Sequence, residues 1–271
     1  MENIYKIWPT TKVGVIFASP HSGQNYPSDF DYDCSFSALQ SVEDTCVDSL
    51  FEDSAIAYGA GFIKALFPRS YVDVNRAEDD MDPLAFERPA PDTFKPSNKG
   101  LSGHGVFHTY IKGKIPVYSR RLTQAEAKQR LKKYYVPYHQ ALNNIMQSTY
   151  LTYGNVLLID CHAMSPSALD QHFSNQQPDF VLGDLDGTSC DVAIRKKIQK
   201  AFIAMGYQVA INTPFKGATI LKRHTDPARG FHGLQIEIHK NLYLDTGGRI
   251  IDKKFNILKG NLNKLVAEIC A

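Results

Sequence analysis

"NVLLIDCHAMSP" (Asn155–Pro166) runs five mostly apolar positions straight into Asp160, Cys161 and His162 before Ser-Pro closes it. A run this uniformly apolar suits a central strand covered on both faces of a sheet. A chain that needed only to fold would more simply end the strand on Gly or Asn. Ending it on an acid, a thiol and an imidazole raises the question of partners. In open α/β sheets, ligands bind in the crevice at the carboxyl ends of the strands.

The same strand signature recurs along the chain. "VGVIFAS" (13–19), "GFIKALF" (61–67), "YVDVN" (71–75), "DFVLGD" (179–184), "YQVAIN" (207–212) and "LQIEIH" (234–239) read as strands. Between them, 36–58, 123–149, 188–205 and 253–270 have helical patterns, with "TQAE" (123–126) as a capping box. Pro137 is expected to kink the second helix or divide it in two. Strand–helix alternation of this kind implies an α/β fold, a three-layer αβα sandwich around a mixed sheet, in a single domain spanning 1–271. Residues 82–118, rich in Pro, Gly and polar groups, fit neither template and read as a long surface or lid loop.

Composition narrows the function. The 271 residues are 43% hydrophobic, enough for a substantial core. Thirty basic against 28 acidic residues leave a formal charge of +2. With no basic stripe, neither nucleic acid nor a membrane surface is an expected partner. No apolar run approaches the roughly 18 residues that span a bilayer, and no signal region opens the chain, so a soluble, cytoplasmic protein is expected. The five cysteines (34, 46, 161, 190, 270) include no CxxC pair, which argues against a disulfide framework or a thiolate metal site.

Several polar groups fall at or beyond strand ends. His21 follows the first strand in "FASPHSG", Asn75 and Arg76 end "YVDVNR", His162 ends "LLIDCH", and Glu237 is embedded in "LQIEIHK". This set has the chemical makeup of a mononuclear hydrolytic zinc site. Two imidazoles and a carboxylate leave one coordination position for water, a second carboxylate takes the proton, and an Arg binds a substrate carboxylate or oxyanion. "SVEDTCVDSLF" supplies Glu43, Asp44 and Asp48 as candidates for the acidic ligand. The other reading is structural: strand-end histidines, a buried ion pair at Glu237, and Arg76 paired with Asp73 or Asp79. A serine hydrolase built on Ser22 is disfavoured, because "SPHSG" lacks the Gly-x-Ser-x-Gly elbow.

Taken in order, "PHSG", "VDVNRAEDD", "GVFHTYIKGKIPVY", "YYVPYHQAL", "DCHAMSP", "PDFVLGDLDGTSC", "NTPFKGATILKRH" and "LQIEIHKNLYLD" resemble the N-formylglutamate amidohydrolases, over roughly residues 13–245. That family is related in fold to zinc carboxypeptidases and aspartoacylases. The resemblance implies one Zn²⁺ per chain on His21, Asp44 and His162, with Glu237 as catalytic base. It implies Asn75, Arg76, Asn212, Gly217, Arg223 and His224 around the substrate, with Arg76 also catalytic. The implied reaction is hydrolysis of a small N-acyl amino acid, N-formyl-L-glutamate giving formate and L-glutamate. Thr45 stands where the family usually has Trp, and "NTPFKGATILKRH" replaces a segment richer in Gly, so the substrate is less fixed than the metal site. A zinc carboxypeptidase or peptide amidase of the same fold, and a non-catalytic ligand-binding relative, stand as alternatives; the oligomeric state is left open.

Overall fold

A computed structural model describes residues 4–9, 11–88, 92–112, 114–174 and 176–271. In chain order the strands and helices are β1 (Tyr5–Trp8), β2 (Val15–Ser19), α1 (Phe36–Gln40), α2 (Val47–Ala57) and β3 (Gly61–Ala65). Next come α3 (Asn98–Leu101), β4 (Tyr110–Ile111), β5 (Ile115–Pro116), α4 (Gln124–Arg130), a π-helical turn (Leu131–Tyr135) and α5 (Val136–Tyr153). The chain closes with β6 (Val156–Met164), α6 (Pro166–Leu169), β7 (Phe180–Gly183), α7 (Val192–Ala204), β8 (Val209–Ile211), α8 (Thr219–His224), β9 (Phe231–His239) and α9 (Asp252–Cys270). Seven strands form one sheet in the order β1-β3-β2-β6-β9-β7-β8. Strands β2, β6 and β9 run parallel, whereas β7 lies antiparallel to β9, so the sheet is mixed.

The chain sorts into two compact units, residues 1–6, 20–43 and 64–142, and residues 7–19, 44–63 and 143–271. In the second, strand alternation divides the side chains cleanly. Val15, Phe17, Ile159, Cys161, Phe180, Leu182, Leu234, Ile236 and Ile238 join the main core with residues of α2, α7 and α9. The opposite face meets other helices: a Cβ on Gly233 would touch Thr225 and Leu221 beside α8, and Tyr150 of α5 stacks on Phe231 at 4.4 Å. Helices on both faces make the three-layer αβα arrangement. Asp160, His162, Gln235 and Glu237 lie on this second face, by the alternation along β6 and β9.

The first unit is built around aromatic side chains. Phe30, Tyr71, Phe107 and Tyr118 surround the buried Arg130 guanidinium, which lies 4.2 Å from the Tyr71 ring centre and donates to Tyr118 Oη at 2.7 Å. The expected capping box is present: Thr123 Oγ1 accepts from Glu126 N at 3.1 Å, and Glu126 Oε2 accepts from Thr123 N at 2.8 Å.

Three expectations need correction, and the division expected near Pro137 is present as a π-helical turn. Residues 71–75 form no strand; the buried Asp73 side chain accepts from Asn75 N at 2.8 Å and folds the segment into a turn. The helix expected over 36–58 is two helices, because the chain passes through a left-handed residue, Cys46 at φ 56°. The "NVLLID" strand continues to Met164, which puts His162 inside the strand instead of beyond it. Pro137 sits in the first turn of α5, directly after the π-helical turn that contains Lys133, the residue its missing N–H would have served. Within 82–118 only short elements form, α3 and the β4–β5 pair among them, and residues 89–91 and 113 lie outside the described set.

Candidate active site

His162 and Glu237 are direct partners in the β6–β9 register, as are Asp160 and Gln235 one step earlier. Side chains at directly opposed positions project from the same face within contact range. Parallel pairing thus lines up four polar groups near the carboxyl ends of two central strands. His162 is buried, with Nδ1 at 3.0 Å from Asp44 Oδ2 and Nε2 at 3.0 Å from Asp160 Oδ2. Burial works against charge on this imidazole, but Asp160, Asp44 and Glu237 outweigh it and hold the pKa well above the usual histidine value. Gln235 Nε2 donates to Glu237 Oε1 at 2.9 Å, fixing that carboxylate within its strand.

His21 follows β2 by two residues, and Asp44 ends the turn that leads toward α2. Among the described residues, the group that could hold a metal ion is His21, Asp44 and His162: all are buried, and one ligand atom from each lies within 4.8 Å of the others. Two imidazole nitrogens and one carboxylate oxygen suit a zinc-type ion with an open position. The 3.0 Å between His162 Nδ1 and Asp44 Oδ2 is close to the edge of a tetrahedron with arms of about 2 Å, roughly 3.3 Å. Glu43, the alternative acid, is engaged elsewhere, accepting from Gln24 Nε2 at 3.0 Å and from Tyr26 Oη.

The remaining candidates divide. Gly217 lies on the Glu237 face of the sheet, since a Cβ on Gly183 would sit 2.8 Å from Gly217 N. Arg223 and His224 end α8 above the same face; burial and then Arg223 push the His224 pKa down to about 4. Asn212 has its amide occupied by a neighbouring loop, donating to Asp184 Oδ1 at 2.7 Å and accepting from Asp184 N at 2.9 Å. Asn75 is buried, and Arg76 Nε donates to His104 O at 2.9 Å.

Sequence reasoning named Asp160 only as a strand-end acid and Asp73 only as a partner for Arg76, and it passed over Gln235 and Arg69. Asp160 and Gln235 each lie two positions from a singled-out residue in the same strand, and period-2 alternation would have found them. Asp73 is paired with Arg69 four residues before it and bonds His21, a distant partner that no local pattern announces.

A mixed sheet with helices on both faces, presenting imidazoles and carboxylates near the carboxyl ends of parallel strands, is the arrangement of an α/β enzyme with a site for a metal ion. The family model described as N-formylglutamate amidohydrolase matches residues 13–244. The chain belongs to that family, and is an enzyme acting on a linear amide C–N bond. The crystal structure of N-formylglutamate amidohydrolase from Ralstonia eutropha JMP134 superposes with a TM-score of 0.93 at 34% identity, covering 98% of this chain and 97% of that one. An N-formylglutamate deformylase of Pseudomonas putida is 28% identical over 239 residues, 86% of this chain and 83% of its own length. A gene product of Agrobacterium tumefaciens shares the fold, with a TM-score of 0.68 at 16% identity over 98% of this chain and 93% of that one.

Proposed function

We propose that the protein hydrolyses N-formyl-L-glutamate to formate and L-glutamate, using one Zn²⁺ held by His21, Asp44 and His162. The observation carrying the metal is the buried His-Asp-His group; the substrate is supported by the names of the relatives in Ralstonia and Pseudomonas. When bound, such an ion lowers the pKa of water towards neutrality and polarises a carbonyl oxygen. Glu237 takes a proton from the attacking water and returns it to the leaving nitrogen as the C–N bond breaks. Arg76 and Arg223 bind carboxylates, because planar guanidinium groups match them two bonds at a time. Asn75, Gly217 and His224 shape the surroundings of the substrate, and Asn212 contributes by bracing the Asp184 loop.

Residues 1–271 act as one catalytic domain, a reading supported by the family match over 13–244, with 82–118 as a surface or lid loop. A reducing, cytoplasmic setting accords with five free cysteines. Among the described residues, no helix is long and apolar enough to cross a membrane. The test is metal analysis of the purified protein joined to a screen of N-formyl-L-glutamate, other N-acyl amino acids and short peptides. One zinc per chain with turnover of the formyl compound supports the proposal. Turnover of peptides alone refutes it in favour of a carboxypeptidase or peptide amidase, and absence of stoichiometric metal and turnover refutes it in favour of a binding protein.

A further inference from the structure

The Asp73 carboxylate is fully buried, and each of its oxygens serves two sides. Oδ1 accepts from His21 Nε2 at 2.8 Å and from Asn75 N at 2.8 Å. Oδ2 accepts the Arg69 fork, Nε at 3.1 Å and Nη2 at 2.8 Å, with His108 Nε2 further off at 3.4 Å. A carboxylate that accepts the Arg69 fork on one oxygen and Asn75 N on the other is an acceptor at both, so the His21 nitrogen facing it carries the proton. The ring is thereby turned so that Nδ1 presents its lone pair. His162 repeats the pattern, with Nε2 against Asp160 and Nδ1 beside Asp44.

We propose that Asp73, charge-balanced by Arg69, is a positioning residue for His21 that fixes its tautomer and ring orientation so that Nδ1 serves as the metal donor. This rests on the metal reading above. Carboxylates hydrogen-bonded to ligand histidines raise donor basicity, and losing one weakens metal affinity by about 10–100-fold.

The test is Zn²⁺ affinity measured by chelator competition, with Co²⁺ absorption spectra, for wild type, Asp73→Ala, Asp73→Asn and His21→Ala. Thr123→Ala, which removes a remote helix cap, serves as a control for mere loss of stability. Metal-free melting is recorded for all. Asp73→Ala should weaken zinc binding by about 10–100-fold and alter the Co²⁺ spectrum. Asp73→Asn, which keeps an acceptor oxygen but loses the charge, should lose less, and Thr123→Ala should lose none. If Asp73→Ala does not fold, the isosteric Asn variant carries the test. Wild-type affinity in the Asp73 variants overturns the positioning role, as does an equal loss in Thr123→Ala. Identical metal binding by wild type and His21→Ala overturns the metal reading itself, and this proposal with it.

Discussion

Replacing Glu237 by Gln removes one negative charge while changing almost no volume. The side chain is buried, held by Gln235 Nε2 at 2.9 Å and opposed in register by His162 on one side and Val181 on the other. A Gln at this position keeps an oxygen for the Gln235 amide, so the strand pairing survives and the loss falls on chemistry. General base catalysis contributes about 10²–10⁴ in rate, equivalent to roughly 2.7–5.5 kcal/mol of barrier. The assay is formate release from N-formyl-L-glutamate, with zinc content and KM determined on the same preparation. A fall of that size in kcat with unchanged metal content is expected. A variant retaining kcat within about threefold of wild type at full metal occupancy would show that Glu237 is not the base.

Other outcomes follow from the same geometry. Asp44→Asn should reduce zinc stoichiometry and activity together, both restored in the wild type when zinc follows chelation, as metal analysis with turnover would show. Gly233→Ala places a Cβ 2.5 Å from Thr225 Cγ2 and 2.8 Å from Leu221 Cδ2, so it should destabilise by about 1–3 kcal/mol in thermal melts and, by displacing α8, raise KM. Thr123→Ala breaks one half of a capping box and should cost about 0.5–2 kcal/mol, read from denaturant midpoints. The buried His224, with a pKa lowered to about 4, stays neutral where the unfolded chain takes up a proton. Between about pH 6.5 and 4 the unfolded state therefore binds more protons, so stability drops as pH falls through that window. His224→Gln should flatten that part of a plot of melting temperature against pH.

The legible parts of this chain were those with a local period. Strands β2, β6, β7 and β9 and helices α7 and α9 announce themselves by apolar runs and 3.6-residue patterns, and Thr123–Glu126 by a spacing that only a helix start requires. What misled was alternation without a sheet. Tyr71, Val72 and Val74 are buried like strand residues, yet Tyr71 N and Val72 N both bond Pro68 O in a turn. The end of β6 was hidden for the opposite reason: Asp160 and His162 look like a terminus because they are polar, though alternation gives them to one face of a continuing strand. Histidine, acid and glutamate could be singled out by residue type. Of their supports, Asp160 and Gln235 lie two positions away and were within reach of the alternation, whereas Asp73 meets His21 across 52 residues.

The π-helical turn at Leu131–Tyr135 fixes a length. On one side of it Arg130 fills its aromatic cage; on the other, Tyr135 Oη donates to Arg76 O at 2.9 Å, and His139 Nε2 lies 2.9 Å from Val74 O. The wider turn takes in one residue more than an α-helical turn, so the helix carries that residue while Arg130 and His139 keep facing their separate partners. Substituting the exposed Lys132 or Lys133 should leave both anchored ends in place.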